Sequence, residues 1–211
     1  VGRHMDLLLT TPLRICGEVV LRVHQNLLTK ATDLKQIKTV YSHPQSLAQC
    51  HEWLNRMLPD VARISVGSNA QAAQKAAEEE GAAAIAGEAA AARYALPKLV
   101  ENIEDEPNNT TRFLVLGKHD AGVSGKDKTS LVMSAPNRTG SLLELLAPLA
   151  DAGVSMSRLE SRPARHTLWE YVFYVDIEGH REDAVVKKAL EELASRAAYL
   201  KVLGSYPVAV Y

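Results

Sequence analysis

In Asn109-Thr110-Thr111-Arg112-Phe113 a hydroxyl and a guanidinium stand side by side where a polar turn runs into an apolar strand. A threonine hydroxyl can donate to a departing oxygen, although it is a weak acid and needs orientation and a preorganised surrounding to act. An arginine fork matches a carboxylate with two bonds. A second polar group, Glu160-Ser161-Arg162-Pro163, ends a different strand. A third, Asn137-Arg138-Thr139-Gly140-Ser141-Leu142, fills a turn ahead of a helix, where glycine admits a close backbone approach and a helix N-terminus favours a carboxylate. Spacing alone also allows plain turns at the first and third of these. By position Ser42 reads as a helix cap and Gln49 as an exposed helix residue, while Ser68, at a strand-to-helix junction, can cap the helix and help receive a carboxylate there. His24 and His43 read as structural, since neither has a carboxylate or nucleophile at a telling spacing.

The elements that must position these groups fall into two patterns. Residues 18–23, 37–41, 63–66, 82–86 and 112–116 read as strands, and 45–58, 69–80 and 88–94 as helices, with Ser42 or His43 and Ser68 or Asn69 near the caps. That alternation predicts an α/β lobe with a largely parallel sheet. Residues 118–128 read as a linker. Beyond it, strands at 129–135, 155–162, 168–177 and 199–206 and helices at 140–152 and 181–196 give the order βαββαβ, which is ferredoxin-like. Trp169 and Tyr171 alternate on a strand and read as core or interface residues.

Composition bounds the rest. A length of 211 residues suits two modest domains, and 46% hydrophobic with 23% charged residues is an ordinary balance. The net charge is −1, from 24 basic and 25 acidic residues without a basic stripe, which argues against nucleic acid or an anionic membrane as partner. Cys16 and Cys50 form no Cys-x-x-Cys pair and are expected to be reduced thiols of a cytoplasmic protein. The seven histidines show no ligand spacing, so neither a metal nor a cofactor is expected. Residues 1–5 read as an expression remnant.

Asn109, Thr111, Arg112 and Phe113 match the Asn-x-Thr-Arg-Phe motif of prephenate dehydratases. Tyr41-Ser42-His43-Pro44-Gln45, Gln49-Cys50 and residues 65–73 and 83–86 resemble the same family. Gly140-Ser141-Leu142 and Glu160-Ser161-Arg162-Pro163 resemble the phenylalanine-binding motifs of its ACT regulatory domain. The resemblance implies one lobe of a dehydratase domain like the type II periplasmic binding proteins over residues 6–117, and an ACT domain over 129–211. It implies conversion of prephenate to phenylpyruvate, water and carbon dioxide without a cofactor. Thr111 would assist loss of the hydroxyl, Arg112 would clamp a carboxylate beside Asn109, and Phe113 would pack beneath them. Ser42, Gln49 and Ser68 would stand near the site. Phenylalanine would bind at Asn137, Gly140, Ser141, Leu142 and Glu160 to Pro163 between two ACT domains, which implies a homodimer or larger homo-oligomer.

The departures are local: Asn69 stands where many members have threonine, Ala95 where many have glycine, Ser141 for alanine and Thr139 for proline. The Gly-Pro-x-Gly-Thr and Pro-x-Glu-Asn segments of the family's first lobe do not occur, so this chain by itself is expected to turn over little or no prephenate. Residues 125–131 resemble the linker of bifunctional proteins that carry chorismate mutase upstream. Two other readings stand beside this one: a non-catalytic amino-acid sensor, for which the ACT domain suffices, and a solute-binding domain, against which the Thr-Arg-Phe motif argues.

Overall fold

The computed structural model describes residues 2–163 and 171–210. The chain divides into two compact units, residues 21–111 and residues 1–20 with 112–211. The division falls within β1 (Arg14–Arg22) and β7 (Thr110–Gly117), which pair as a two-stranded ribbon.

The unit of residues 21–111 is built on five strands, β2 (Asn26–Thr29), β3 (Thr39–Ser42), β4 (Ala62–Ser65), β5 (Ala82–Ala86) and β6 (Lys98–Val100). Their order is β4-β3-β5-β2-β6. β3 pairs parallel with β4 and β5, while β2 pairs antiparallel with β5 and β6. The sheet is therefore mixed, not largely parallel: β2 and β6, at four and three residues, are too short to declare themselves in the pattern. Both faces are covered. Ala82, Ala84 and Ala86 of β5 join the core beneath α4 (Asn69–Glu78) and α5 (Glu88–Tyr94). Ala83 and Ile85 join the opposite core, under α2 (Pro44–Gln49) and α3 (His51–Met57). The period-two alternation of a strand divides these five residues between the two cores.

The expected helix over 45–58 is two helices. The backbone breaks at Cys50, and the Asp105 carboxylate accepts from the N–H groups of Glu52 and Trp53, both at 2.9 Å, satisfying the start of α3 from a distant part of the chain. α5 ends on Ala95 at φ +49°, a left-handed position that favours glycine.

In the other unit β8 (Asp127–Ser134), α6 (Ser141–Asp151), β9 (Met156–Pro163), β10 (Tyr171–Glu178), α7 (Ala184–Arg196) and β11 (Tyr199–Pro207) follow the expected βαββαβ order. The sheet order is β11-β8-β10-β9, with antiparallel pairing throughout. Residues 168–170, assigned to a strand from sequence, lie outside the described residues, as does Trp169. One face packs Leu131, Met133, Val175 and Ile177 against Leu145, Leu149, Val186 and Leu193 of α6 and α7. The other packs Val132, Tyr174 and Tyr206 against Ile15 of β1 and Leu8 of α1 (Gly2–Thr10), a helix that includes residues set aside as a remnant. Lys201 Nζ donates to the carbonyls of Leu8, Leu9 and Thr11 at 2.9–3.0 Å, closing the C-terminal end of α1. A Cβ on Gly204 would stand 2.0 Å from the Ile15 carbonyl oxygen, so only glycine lets β11 accept β1 this closely. Among the described residues no helix is long and apolar enough to cross a membrane.

Candidate functional site

The parallel strands of the first unit end on one edge of its sheet, where open α/β sheets take their ligands. There Val23, Gln25, His43, Gln45, Ser46, Gln49, Gly67, Ser68, Asn69, Asn109, Thr110 and Thr111 line an open hollow of about 540 Å³. Each is placed by a local rule. Pro44 opens α2 and His43 caps it, its Nδ1 accepting from the Gln45 N–H at 3.2 Å. Ser68 caps the ten-residue α4, its Oγ accepting from the Gln71 N–H at 3.1 Å, so the positive end of a helix dipole meets the hollow. The Val23 N–H donates to the Asn109 carbonyl at 2.9 Å and holds the segment ahead of Thr111.

A relay of side chains organises the wall. The His43 N–H donates to Asn69 Oδ1 at 3.1 Å, which fixes the amide: Asn69 Nδ2 donates to Ser46 Oγ at 2.9 Å. Gln25 Nε2 also donates to Ser46 Oγ, at 3.2 Å, and to Gln49 Oε1 at 3.0 Å. Asn69, noted from sequence as a possible cap and as a departure, is thus a hub of the wall. Gln25 and Ser46 were not singled out at all; an isolated glutamine after β1 carries no sequence signal, and it is identified by being 3% exposed with a polar head. Gln25 Oε1 and Asn109 Nδ2 are buried without a protein partner among the described residues, at a cost of about 1–3 kcal/mol each if left so.

The expected site residues separate. Thr111, Asn109, Gln49 and Ser68 line the hollow. Ser42 is fully buried beneath it. It is neither a cap nor a lining residue: its Oγ lies 2.8 Å from the Ile85 carbonyl and 3.0 Å from Asn69 Oδ1 and supports Asn69 from behind. His24 pairs with Glu104 at 2.9 Å. Burial would raise the Glu104 carboxyl, but the Gln25 N–H and His24 outweigh it and hold it below the ordinary carboxylate range.

Arg112 belongs to the other unit. Its Nε donates to Glu18, one terminal nitrogen to Asp176 and the other to the Tyr206 hydroxyl, each at 2.5 Å. A guanidinium committed to two carboxylates and a phenol is not free to clamp a substrate carboxylate, and the expectation for Arg112 changes accordingly. Phe113 is 51% exposed and does not pack beneath the motif. Strand alternation turns Arg112 to the face opposite Thr111, whereas Phe113, two residues on, shares the exposed face of Thr111. Among the described residues no group of three or more His, Cys, Asp or Glu side chains gathers to hold a metal ion.

In the ferredoxin-like unit Asn137, Ser141 and Leu142 line a small hollow of about 100 Å³ with Ala135, Pro136, Tyr171 and Phe173. Gly140 opens α6 at φ +79°, a position suited to glycine. Tyr171, read from sequence as core or interface, lines this hollow. Ser161 pairs with Phe173 and Pro163 with Tyr171 across β9 and β10, which places both on the hollow's face of the sheet. Glu160 pairs with Tyr174 and Arg162 with Val172, on the other face. There Glu160 accepts from Arg158 and, at 2.8 Å, from Arg162 Nε, and the Arg162 bond holds its carboxyl low.

Both parts of the chain have known relatives. The prephenate dehydratase family profile matches residues 1–121 and the ACT domain profile residues 129–195. A bifunctional chorismate mutase/prephenate dehydratase from Neisseria gonorrhoeae is 56% identical over 213 residues, covering 100% of this chain and 59% of that protein. A solved prephenate dehydratase from Arthrobacter aurescens in complex with L-Phe is 33% identical with a TM-score of 0.85, covering 99% of this chain and 71% of that one. GqqA, a solved quorum quenching acylase, is 30% identical with a TM-score of 0.78, covering 93% and 73%. The chain spans less than three-fifths of the length of the first curated relatives it matches, 59% and 58%. With the family's profile over more than half of its residues and an ACT domain behind it, the chain belongs to the prephenate dehydratase family.

Proposed function

We propose that a protein of the relatives' full length carrying this sequence converts prephenate to phenylpyruvate and senses phenylalanine through its ACT domain, while this chain by itself turns over little or no prephenate. The observation that carries the first part is Thr111 on the rim of a polar hollow, next to the capped N-terminus of α4. In the reaction the bond from the ring to its carboxyl carbon breaks and its electrons enter the ring. The ring's bond to the hydroxyl oxygen breaks, and the oxygen leaves as water once protonated. Aromatisation drives the step, so the protein has to hold the substrate and ease the departure of oxygen. Thr111 donates to the leaving oxygen. Asn109 and Gln49 offer amides to the substrate, and Ser68 with the α4 N-terminus receives a carboxylate. Arg112 holds the strand that carries Thr111 and takes no direct part.

The second part rests on the hollow beside Gly140, whose lining combines aromatic rings with a helix start. Phenylalanine occupies this hollow between two copies of the domain, and the protein is a homodimer or larger. Two experiments test the reading. A protein of the relatives' full length carrying this sequence must form phenylpyruvate from prephenate; no turnover refutes the first part. Phenylalanine, with tyrosine as control, must bind this chain in calorimetric titration and lose that binding in Gly140→Val; unchanged affinity in the variant refutes the second.

A further inference from the structure

Two glutamines of the first unit are held by one short segment of its chain. The Ile103 N–H donates to the Gln25 carbonyl at 2.8 Å, and the Glu104 carboxylate accepts from the Gln25 N–H at 2.8 Å. The Asp105 N–H donates to the Gln49 carbonyl at 2.8 Å, and the Asp105 carboxylate receives the start of α3. Gln25 and Gln49, 24 residues apart, are thus fixed through their backbones, and their side chains meet beside Ser46. The Gln25 side chain is buried and spends its NH2 group twice, on Gln49 Oε1 at 3.0 Å and on Ser46 Oγ at 3.2 Å. Ser46 Oγ also accepts from Asn69 Nδ2, so both of its lone pairs are taken. Turning the Gln25 amide over would set its two donors where the oxygen now lies without a protein partner, and a buried N–H left unpaired is rarer than an under-satisfied oxygen.

Gln49 is half-buried and lines the hollow. Its amide is planar, so an oxygen turned to Gln25 sets the NH2 group on the other side. We infer that Gln25 is a positioning residue: it fixes the sense of the Gln49 amide, so that the hollow meets the substrate there with a donor and not an acceptor. The inference rests on the reading of this hollow as the prephenate site. A donor suits the oxygens of the substrate's keto-acid side chain, which take no part in bond breaking and stay acceptors from ground state to transition state. An acceptor turned the same way would face their lone pairs. A bond made equally in both states is uniform binding, so its loss raises KM and spares kcat.

Two readouts test this. Exchange of side-chain amide protons, followed by NMR in this chain, needs no variant. Both Gln25 protons are bonded in a buried place and should exchange at least about tenfold more slowly than those of Gln49. Equal exchange, or slower exchange at Gln49, overturns the inference. The second readout is prephenate turnover by a protein of the relatives' full length carrying this sequence. There Gln25→Met, which keeps the length and removes the donors, should raise KM about tenfold, near the upper end for one neutral hydrogen bond, with kcat within about threefold. Gln49→Ala should do the same. Because Gln25 acts through Gln49, adding Gln25→Met to Gln49→Ala should change kcat/KM by less than about twofold. Losses that multiply in the double variant overturn the inference, since a merely structural glutamine would weaken both backgrounds alike. An unchanged KM in Gln25→Met overturns it too. Absence of turnover in the unaltered full-length protein overturns the prephenate reading instead, and the amide exchange then decides the sense of Gln49 by itself.

Discussion

Glu18→Gln is the substitution whose cost follows most directly from the structure. The Glu18 side chain is 1% exposed and accepts from Arg112 Nε, Lys128 Nζ and the Ala209 N–H. Glutamine keeps the shape but removes the charge, leaving Arg112 with Asp176 alone and taking from Lys128 its carboxylate partner. Breaking a buried ion pair by removing one partner costs about 3–5 kcal/mol. Arg112 and Lys128 are 22% and 16% exposed, so water recovers part of this and about 3 kcal/mol is expected. With a urea slope of about 2 kcal/mol per molar, the midpoint falls by about 1.5 M. The transition is best followed by hydrogen exchange of β8 and β11 peptides, because two compact units need not unfold together. The pH dependence adds a sign. Burial would raise the Glu18 carboxyl, but Ala209, Lys128 and Arg112 outweigh it and hold it below the ordinary range. A lowered folded pKa contributes stability that is present above the unfolded value and lost as pH falls through the folded one. The gap between Glu18→Gln and the unaltered chain is therefore full at pH 7 and shrinks as pH falls below about 4. A midpoint shift under about 0.5 M at pH 7, or a gap unchanged at low pH, would refute the reasoning.

Two smaller predictions concern the first unit. Burial first, then the nearby Asp105 and Glu104 carboxylates, pushes the Cys50 thiol up to about 12, and the residue is 0% exposed. A thiol reagent at pH 8 should thus titrate no more than one cysteine, Cys16, until urea is added; fast reaction of both in the folded chain would contradict the burial. Ala95 sits at φ +49°, so Ala95→Gly should stabilise the unit by about 0.5–1 kcal/mol in urea unfolding, and a lowered midpoint would contradict the backbone argument.

Much of the fold was legible because burial and chain direction wrote themselves into short patterns. The Ala82–Ala86 strand was bounded by Gly81 and Gly87, and the Glu88–Tyr94 helix followed directly. The ferredoxin-like order emerged from alternating runs of the right lengths. What stayed hidden depends on distant parts of the chain. The spacing of Leu47, Cys50, Leu54 and Leu58 continues across the break between α2 and α3, because periodicity reports a buried face and not continuity of the helix. The break is satisfied by Asp105, 53 and 52 residues from the N–H groups it receives. At the site, Thr111, Asn109 and Ser68 were visible as polar groups at element ends, and Gln49, inside the expected helix over 45–58, through the family resemblance. Gln25 and Ser46 were not, since only the fold brings them to Asn69. Arg112 was expected, from the motif and its fork chemistry, to clamp a substrate carboxylate, although neighbours on a strand face opposite ways. Its partners Glu18, Asp176 and Tyr206 lie 94, 64 and 94 residues away.

The central claim is that Thr111 eases departure of the hydroxyl from prephenate held in the first unit's hollow. The most direct measurement is steady-state turnover of prephenate by Thr111→Ala in a protein of the relatives' full length carrying this sequence, with prephenate binding measured in parallel. The account predicts kcat lowered by about a hundredfold or more while binding is retained, because the lost bond acts mainly on the leaving oxygen. An unchanged kcat would contradict it.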